Sequence, residues 1–111
     1  MKQTIAIDFD GVIHKYSKIW LDGSCYDCAI EGAIDALRKL LDRGYNIVIF
    51  STRADTEERI SEMRHWLIKY GLSRNYEFEI TNKKPIAIAY IDDRGIRFTN
   101  WNDMLNYFGG N

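Results

Sequence analysis

Asp8 and Asp10, separated by Phe9, close the first apolar run of the chain, and a second acidic pair, Asp92-Asp93, closes a later one. Between them Ser51-Thr52-Arg53 follows the apolar run Tyr45–Phe50, and Lys83-Lys84 precedes Pro85. Carboxylates held close together repel one another, so gathering Asp8, Asp10 and Asp92 is costly unless a cation neutralises them. A hard divalent ion suits an all-oxygen donor set. Mg2+ keeps several waters and usually takes one or two carboxylates together with a substrate phosphate. One aspartate can then attack phosphorus while a second carboxyl group moves the protons. Asp8 and Asp10 suit those two roles. Ser51 can donate to a phosphoryl oxygen, and Lys84 can stabilise charge on the nucleophile and the transferring group.

These residues act together only if the fold converges them, and the pattern of the chain predicts that it does. Thr4–Phe9 is short and apolar without helical period, Tyr45–Phe50 is β-branched and apolar, and Ile86–Ile91 is a third run of the same kind, so each reads as a buried strand of a parallel sheet. Ala33, Ile34, Leu37, Leu40 and Leu41 recur at helical spacing and stop at Gly44. Ile60, Met63, Leu67 and Tyr70 form a second helical stripe, with Asp55 and Glu58 spaced as a capping box before it. Shorter strands are expected at Tyr76–Thr81 and Ile96–Thr99, and a last helix at Trp101–Phe108. Strand and helix in alternation build an α/β, Rossmann-like sheet in three layers, with helices on both faces. In such sheets ligands bind beyond the carboxyl ends of the strands, where Asp8, Asp10, Ser51, Thr52, Asp92 and Asp93 all fall.

The 111 residues fit one domain spanning the whole chain. With 46% hydrophobic and 28% charged residues, the composition is that of a globular protein able to bury a core. A net charge of −1 supplies no general field for a polyanion. No apolar run approaches the roughly 20 residues needed to span a bilayer, so no membrane partner and a cytoplasmic location are expected. Cys25 and Cys28 supply at most half of a four-ligand zinc site and read as reduced loop cysteines. Residues 12–29 are irregular, with Asp22-Gly23 as a turn signal, and read as a flap. Within it His14 could touch substrate or simply pack, while Tyr16, Trp20 and Tyr26 read as packing residues rather than a base-stacking platform. Trp66 and Trp101 read as core. Arg53 and Arg94 could position a phosphate or pair with Asp93.

The order of these motifs resembles that of the haloacid-dehalogenase-like (HAD) phosphohydrolases over nearly the whole chain. D-F-D-G-V matches the first motif, Ser51 after I-V-I-F the second, Lys84 of K-K-P the third and I-D-D-R the fourth. The resemblance implies that Asp8 is the nucleophile and Asp10 the general acid/base. It implies a Mg2+ shell made by the Asp8 carboxylate, the Asp10 backbone carbonyl and Asp92, with Asp93 a ligand or its neighbour. Thr52 is the alternative to Ser51, and Lys83 the alternative to Lys84. The segment between the first two motifs is too short for a large cap domain, so only the flap at 12–29 covers the site. The expected activity is Mg2+-dependent hydrolysis of a phosphomonoester through an aspartyl phosphate. Its substrate is a phosphorylated macromolecule or nucleic-acid end, or a small molecule enclosed by a second copy in a homo-oligomer. Two alternatives use the same residues: a non-catalytic binding or regulatory module, and phosphoryl transfer to an acceptor other than water.

Overall fold

The computed structural model describes residues 2–15, 27–92 and 96–109. In chain order the described elements are β1 (Thr4–Asp8), α1 (Ala33–Asp42), β2 (Asn46–Phe50), α2 (Glu57–Lys69), β3 (Glu79–Thr81), β4 (Ala89–Asp92), β5 (Ile96–Arg97) and α3 (Trp101–Tyr107). The strands form one sheet in the order β3-β2-β1-β4-β5, with every neighbouring pair parallel. This is the α/β, Rossmann-like arrangement that the alternation of strand and helix predicts.

Ile5 and Ile7 pair with Ile47 and Ile49 on one side and with Ala89 and Ile91 on the other. Because side chains alternate along a strand, these residues share one face of the sheet. Their cluster takes in Leu37 and Leu40 of α1, Met63, Trp66 and Leu67 of α2, and Trp101 and Met104 of α3. The crossovers β1-α1-β2 and β2-α2-β3 step in the same direction, so right-handed connections place α1 and α2 on the same side, and α3 packs against α1. The described helices flank the sheet against its Ile5–Ile7 face. Opposite the helices lie Ala6, Val48 and Tyr90, which are mutually in register, and beyond them Asp8 and Phe50. The connection from β3 to β4 runs by this face, with the Lys84 Nζ 4.5 Å from the centre of the Tyr90 ring and 5.4 Å from that of Phe50.

Several boundaries differ from the sequence expectation. The Ile86–Ile91 run is a strand only from Ala89, and Ile86 and Ile88 are 98% and 55% exposed. β4 can be no longer than its partner allows, and β1 begins at Thr4, whose carbonyl accepts the Ile88 N–H. The Tyr76–Thr81 strand shortens to Glu79–Thr81, since the Phe78 carbonyl accepts from Arg64 and the Arg64 guanidinium lies over the Phe78 ring. Thr56, not Asp55, caps α2: its Oγ1 accepts the Arg59 N–H at 3.1 Å, so no Asp55–Glu58 capping box forms. β5 ends at Arg97 because Thr99 and Asn100 both turn to Asp103, where the Asn100 side chain caps α3. α1 ends as expected, with Gly44 at φ +91°, a conformation that favours glycine just past a helix.

The base of the flap is a short antiparallel contact. Lys15 donates to the Cys28 carbonyl and Ile30 to that of Ile13. Tyr16, Trp20, Cys25 and Tyr26 lie outside the described residues, and Cys28 is exposed. Among the described residues no helix is long and apolar enough to cross a membrane.

Candidate active site

β1 occupies the middle of the sheet and carries Asp8 at its carboxyl end. The chain then turns sharply. The Phe9 carbonyl lies 3.3, 2.8 and 2.9 Å from the amides of Val12, Ile13 and His14. Gly11 makes this turn possible at φ +80°, a region that residues with a Cβ rarely adopt. Phe9 is fully buried and anchors the turn, stacked on the His14 ring at 5.1 Å and edge-on to Trp66 at 5.2 Å. The D-F-D spacing thus drives an aromatic ring into the core between two acids that stay near the strand end. The Phe9 N–H donates to Asp8 Oδ1 at 2.8 Å and orients that carboxylate.

Asp10 is held by two buried partners. Arg53 Nη2 donates to Oδ1 at 3.0 Å, and Arg53 Nε lies 3.2 Å from Oδ1 and 3.1 Å from Oδ2. His14 Nδ1 is 2.9 Å from Oδ1. His14 Nε2 faces the Asp27 N–H at 3.0 Å and must accept there, so the ring carries its proton on Nδ1 and donates it to Asp10. The same Asp27 peptide is fixed from its other side, where Trp66 Nε1 donates to its carbonyl at 3.0 Å. Burial pushes the Asp10 carboxyl up, but the hydrogen bonds from His14 and Arg53 and the Arg53 charge outweigh it and hold the group below the ordinary carboxylate range.

Ser51 leaves the end of β2 and is buried. Its amide donates to the Thr81 carbonyl, and its Oγ accepts the Arg53 N–H at 3.2 Å, so the hydroxyl keeps its own proton to donate. Thr52 is exposed. Phe50, just before Ser51, is the ladder partner of Asp8, and it is the Phe50 ring that Lys84 overlies. Lys84 therefore stands on the same face as Asp8, whereas Lys83 is engaged through its backbone, donating to Thr81 Oγ1. Ile7 pairs with Ile91, which sets the backbone of Asp92 beside that of Asp8 at the carboxyl edge. The Asp92 side chain, Asp93 and Arg94 lie outside the described residues.

Two residues of this site were not assigned to it from the sequence. The sequence allows Arg53 near the strand ends but does not choose between phosphate and Asp93 as its partner, and it does not choose between substrate and packing for His14. The available signal for Arg53 is charge balance, because a turn carrying a cation follows a strand that pairs with the one ending in Asp8-Phe9-Asp10. For His14 the signal is weaker, a four-residue spacing from Asp10 that becomes contact only because the Phe9 turn folds back.

As for a metal, the hard oxygens of the Asp8 carboxylate and the Asp10 carbonyl are donors of the type Mg2+ prefers. Among the described residues no group of three or more His, Cys, Asp and Glu is gathered to hold an ion. The Asp10 carboxylate is already committed to Arg53 and His14, which leaves its backbone carbonyl as the ligand the donor set can offer.

Fold and site together define an α/β protein with a parallel sheet and two aspartates, Asp8 and Asp10, at the carboxyl end of its central strand. No protein-family model matches the chain, and neither does any curated protein. Among solved structures it is similar to a conserved protein from Bacteroides thetaiotaomicron, at 26% identity and a TM-score of 0.69 over 97% of this chain and 90% of the other.

Proposed function

We propose that this chain is a HAD-like, Mg2+-dependent phosphohydrolase that cleaves phosphomonoesters through an aspartyl phosphate on Asp8. The observation that carries the reading is the register of the carboxyl edge. Asp8 stands on the central strand between the end of β2, which leads into Ser51, and that of β4, which carries Asp92, and Lys84 lies over the ladder partner of Asp8. Nucleophile, phosphoryl donors and metal-binding acid thus have adjacent backbone positions.

In the first half-reaction an Asp8 oxygen bonds to phosphorus in line as the bond from phosphorus to the leaving oxygen breaks, and Asp10 protonates that oxygen. In the second half a water attacks the phosphorus while Asp10 takes its proton. The bond to Asp8 then breaks and inorganic phosphate departs. Ser51 Oγ and Lys84 Nζ donate to the phosphoryl oxygens. Mg2+, held by Asp8, the Asp10 carbonyl, Asp92 and Asp93, would neutralise charge on the phosphoryl group. The substrate class is a phosphorylated small molecule or nucleic-acid end.

A panel of phosphosugars, nucleotides and 5′- and 3′-phosphorylated oligonucleotides, assayed with Mg2+ and with a chelator, tests the proposal. Metal-dependent release of phosphate by the wild type, absent in Asp8→Asn, is the expected result. Undiminished turnover by Asp8→Asn would sink the assignment. Mg2+ binding without hydrolysis of any member would favour the binding module.

A further inference from the structure

We infer that Arg53 and His14 are positioning residues that fix the Asp10 carboxylate so that its Oδ2 exchanges the proton in both half-reactions, an inference that rests on the phosphohydrolase reading. The Arg53 side chain is 1% exposed, so its guanidinium is buried against Asp10 rather than presented to solvent. Its Nε and Nη2 reach Asp10 in a fork that locks the plane of the carboxylate. Its backbone is set by Ser51 Oγ, so the serine proposed to touch phosphate also places the arginine that holds the acid.

His14 closes the other side and cannot rotate. It is fully buried, stacks 6° from parallel on Phe9, meets Trp66 edge-on at 5.3 Å and accepts the Asp27 N–H. Asp10 Oδ1 receives donors from both residues, whereas Oδ2 receives only the Arg53 Nε contact at 3.1 Å among the described residues. Oδ2 thus has lone-pair capacity left for a proton. The Asp10 side chain keeps 21% of its surface open, which is where a leaving oxygen or a water can meet it. The Arg53 and His14 donors favour the ionised carboxylate, so Oδ2 holds its proton only transiently, and the minority acid form delivers it to the leaving oxygen as the bond to phosphorus breaks. Oδ2 recovers a proton from the water that displaces Asp8.

Leaving-group dependence separates this role from a structural one. p-Nitrophenolate departs without a proton and an alkoxide does not, and kcat/KM reports the steps up to the phosphorylation of Asp8. With Mg2+ present, Arg53→Lys, which keeps the charge and removes the fork, should lower kcat/KM on ethyl phosphate about tenfold or more beyond its loss on p-nitrophenyl phosphate. His14→Leu should show the same selective loss. His14→Asn, which places an N–H where Nδ1–H lies, should recover part of it. Thermal melts accompany each variant, and if Arg53→Lys does not fold, the contrast between His14→Leu and His14→Asn decides. Equal losses on both substrates would overturn the positioning role and leave the phosphohydrolase reading standing. A wild type that hydrolyses p-nitrophenyl phosphate alone would also overturn it, because Asp10 would then be supplying no proton. A wild type with no Mg2+-dependent turnover of either ester would overturn the underlying reading and the inference with it.

Discussion

Asp8 and Asp10 have the same side chain, but their surroundings divide them. Asp8 is oriented by the N–H of its neighbour Phe9, while Asp10 is gripped by a buried guanidinium and a buried imidazole. Asp8→Asn keeps an oxygen for the Phe9 N–H, so it should melt within about 0.5 kcal/mol of the wild type while losing all Mg2+-dependent phosphatase activity. Calorimetry and a phosphate-release assay on one preparation check both halves. Asp10 makes stability depend on pH. Its folded carboxyl titrates below the ordinary value, so its contribution is complete above about pH 4 and is lost as pH falls through the folded pKa. The wild-type melting temperature should therefore fall more steeply below pH 4 than that of Asp10→Asn, and a pH series of melts would measure the difference. The sequence shows the types of these residues and their order. It does not show that Arg53 turns inward to Asp10, because that depends on Ser51 bending the chain after β2, and a tight turn between an apolar strand and a capped helix leaves no periodic trace.

At the scale of elements, the long apolar runs and helical stripes were legible because burial imposes a period over many residues. Their ends were not, because each is decided by one local competition. Thr56 and Asp55 are both credible caps by type, and only the backbone decides between them. Thr56→Ala should cost about 1 kcal/mol and Asp55→Ala close to nothing, as denaturant melts of the two variants would show. Ile86–Ile91 reads as a uniform strand, yet half of it has no partner strand alongside, and apolar character alone cannot supply one. The lysine after β3 follows the same logic. Lys83 and Lys84 are alike in sequence, but the path of the chain past Phe50 and Tyr90 brings one of them over the rings next to Asp8.

For the molecule as a whole, one apolar cluster joins the three helices to the Ile5–Ile7 face, so disturbing its centre disturbs everything attached to it. Ile7→Ala should cost about 2–5 kcal/mol, a large part of the stability of a domain this size. Mg2+ that binds the folded chain and not the unfolded one should raise the melting temperature with concentration, and a chelator should reverse it. Asp8→Asn should weaken that shift. Because β1 lies in the middle of the strand order, its amides are paired along both edges, while β3 and β5 each have one neighbour among the described residues. Hydrogen exchange should therefore strip β3 and β5 first through local fraying and reach Ile5–Ile7 only with global opening. The platform that carries Asp8 would then outlast the margins of its own sheet, but Ser51 and the Lys83-Lys84 segment lean on β3, so activity lost on heating should vanish before the last protected amides open.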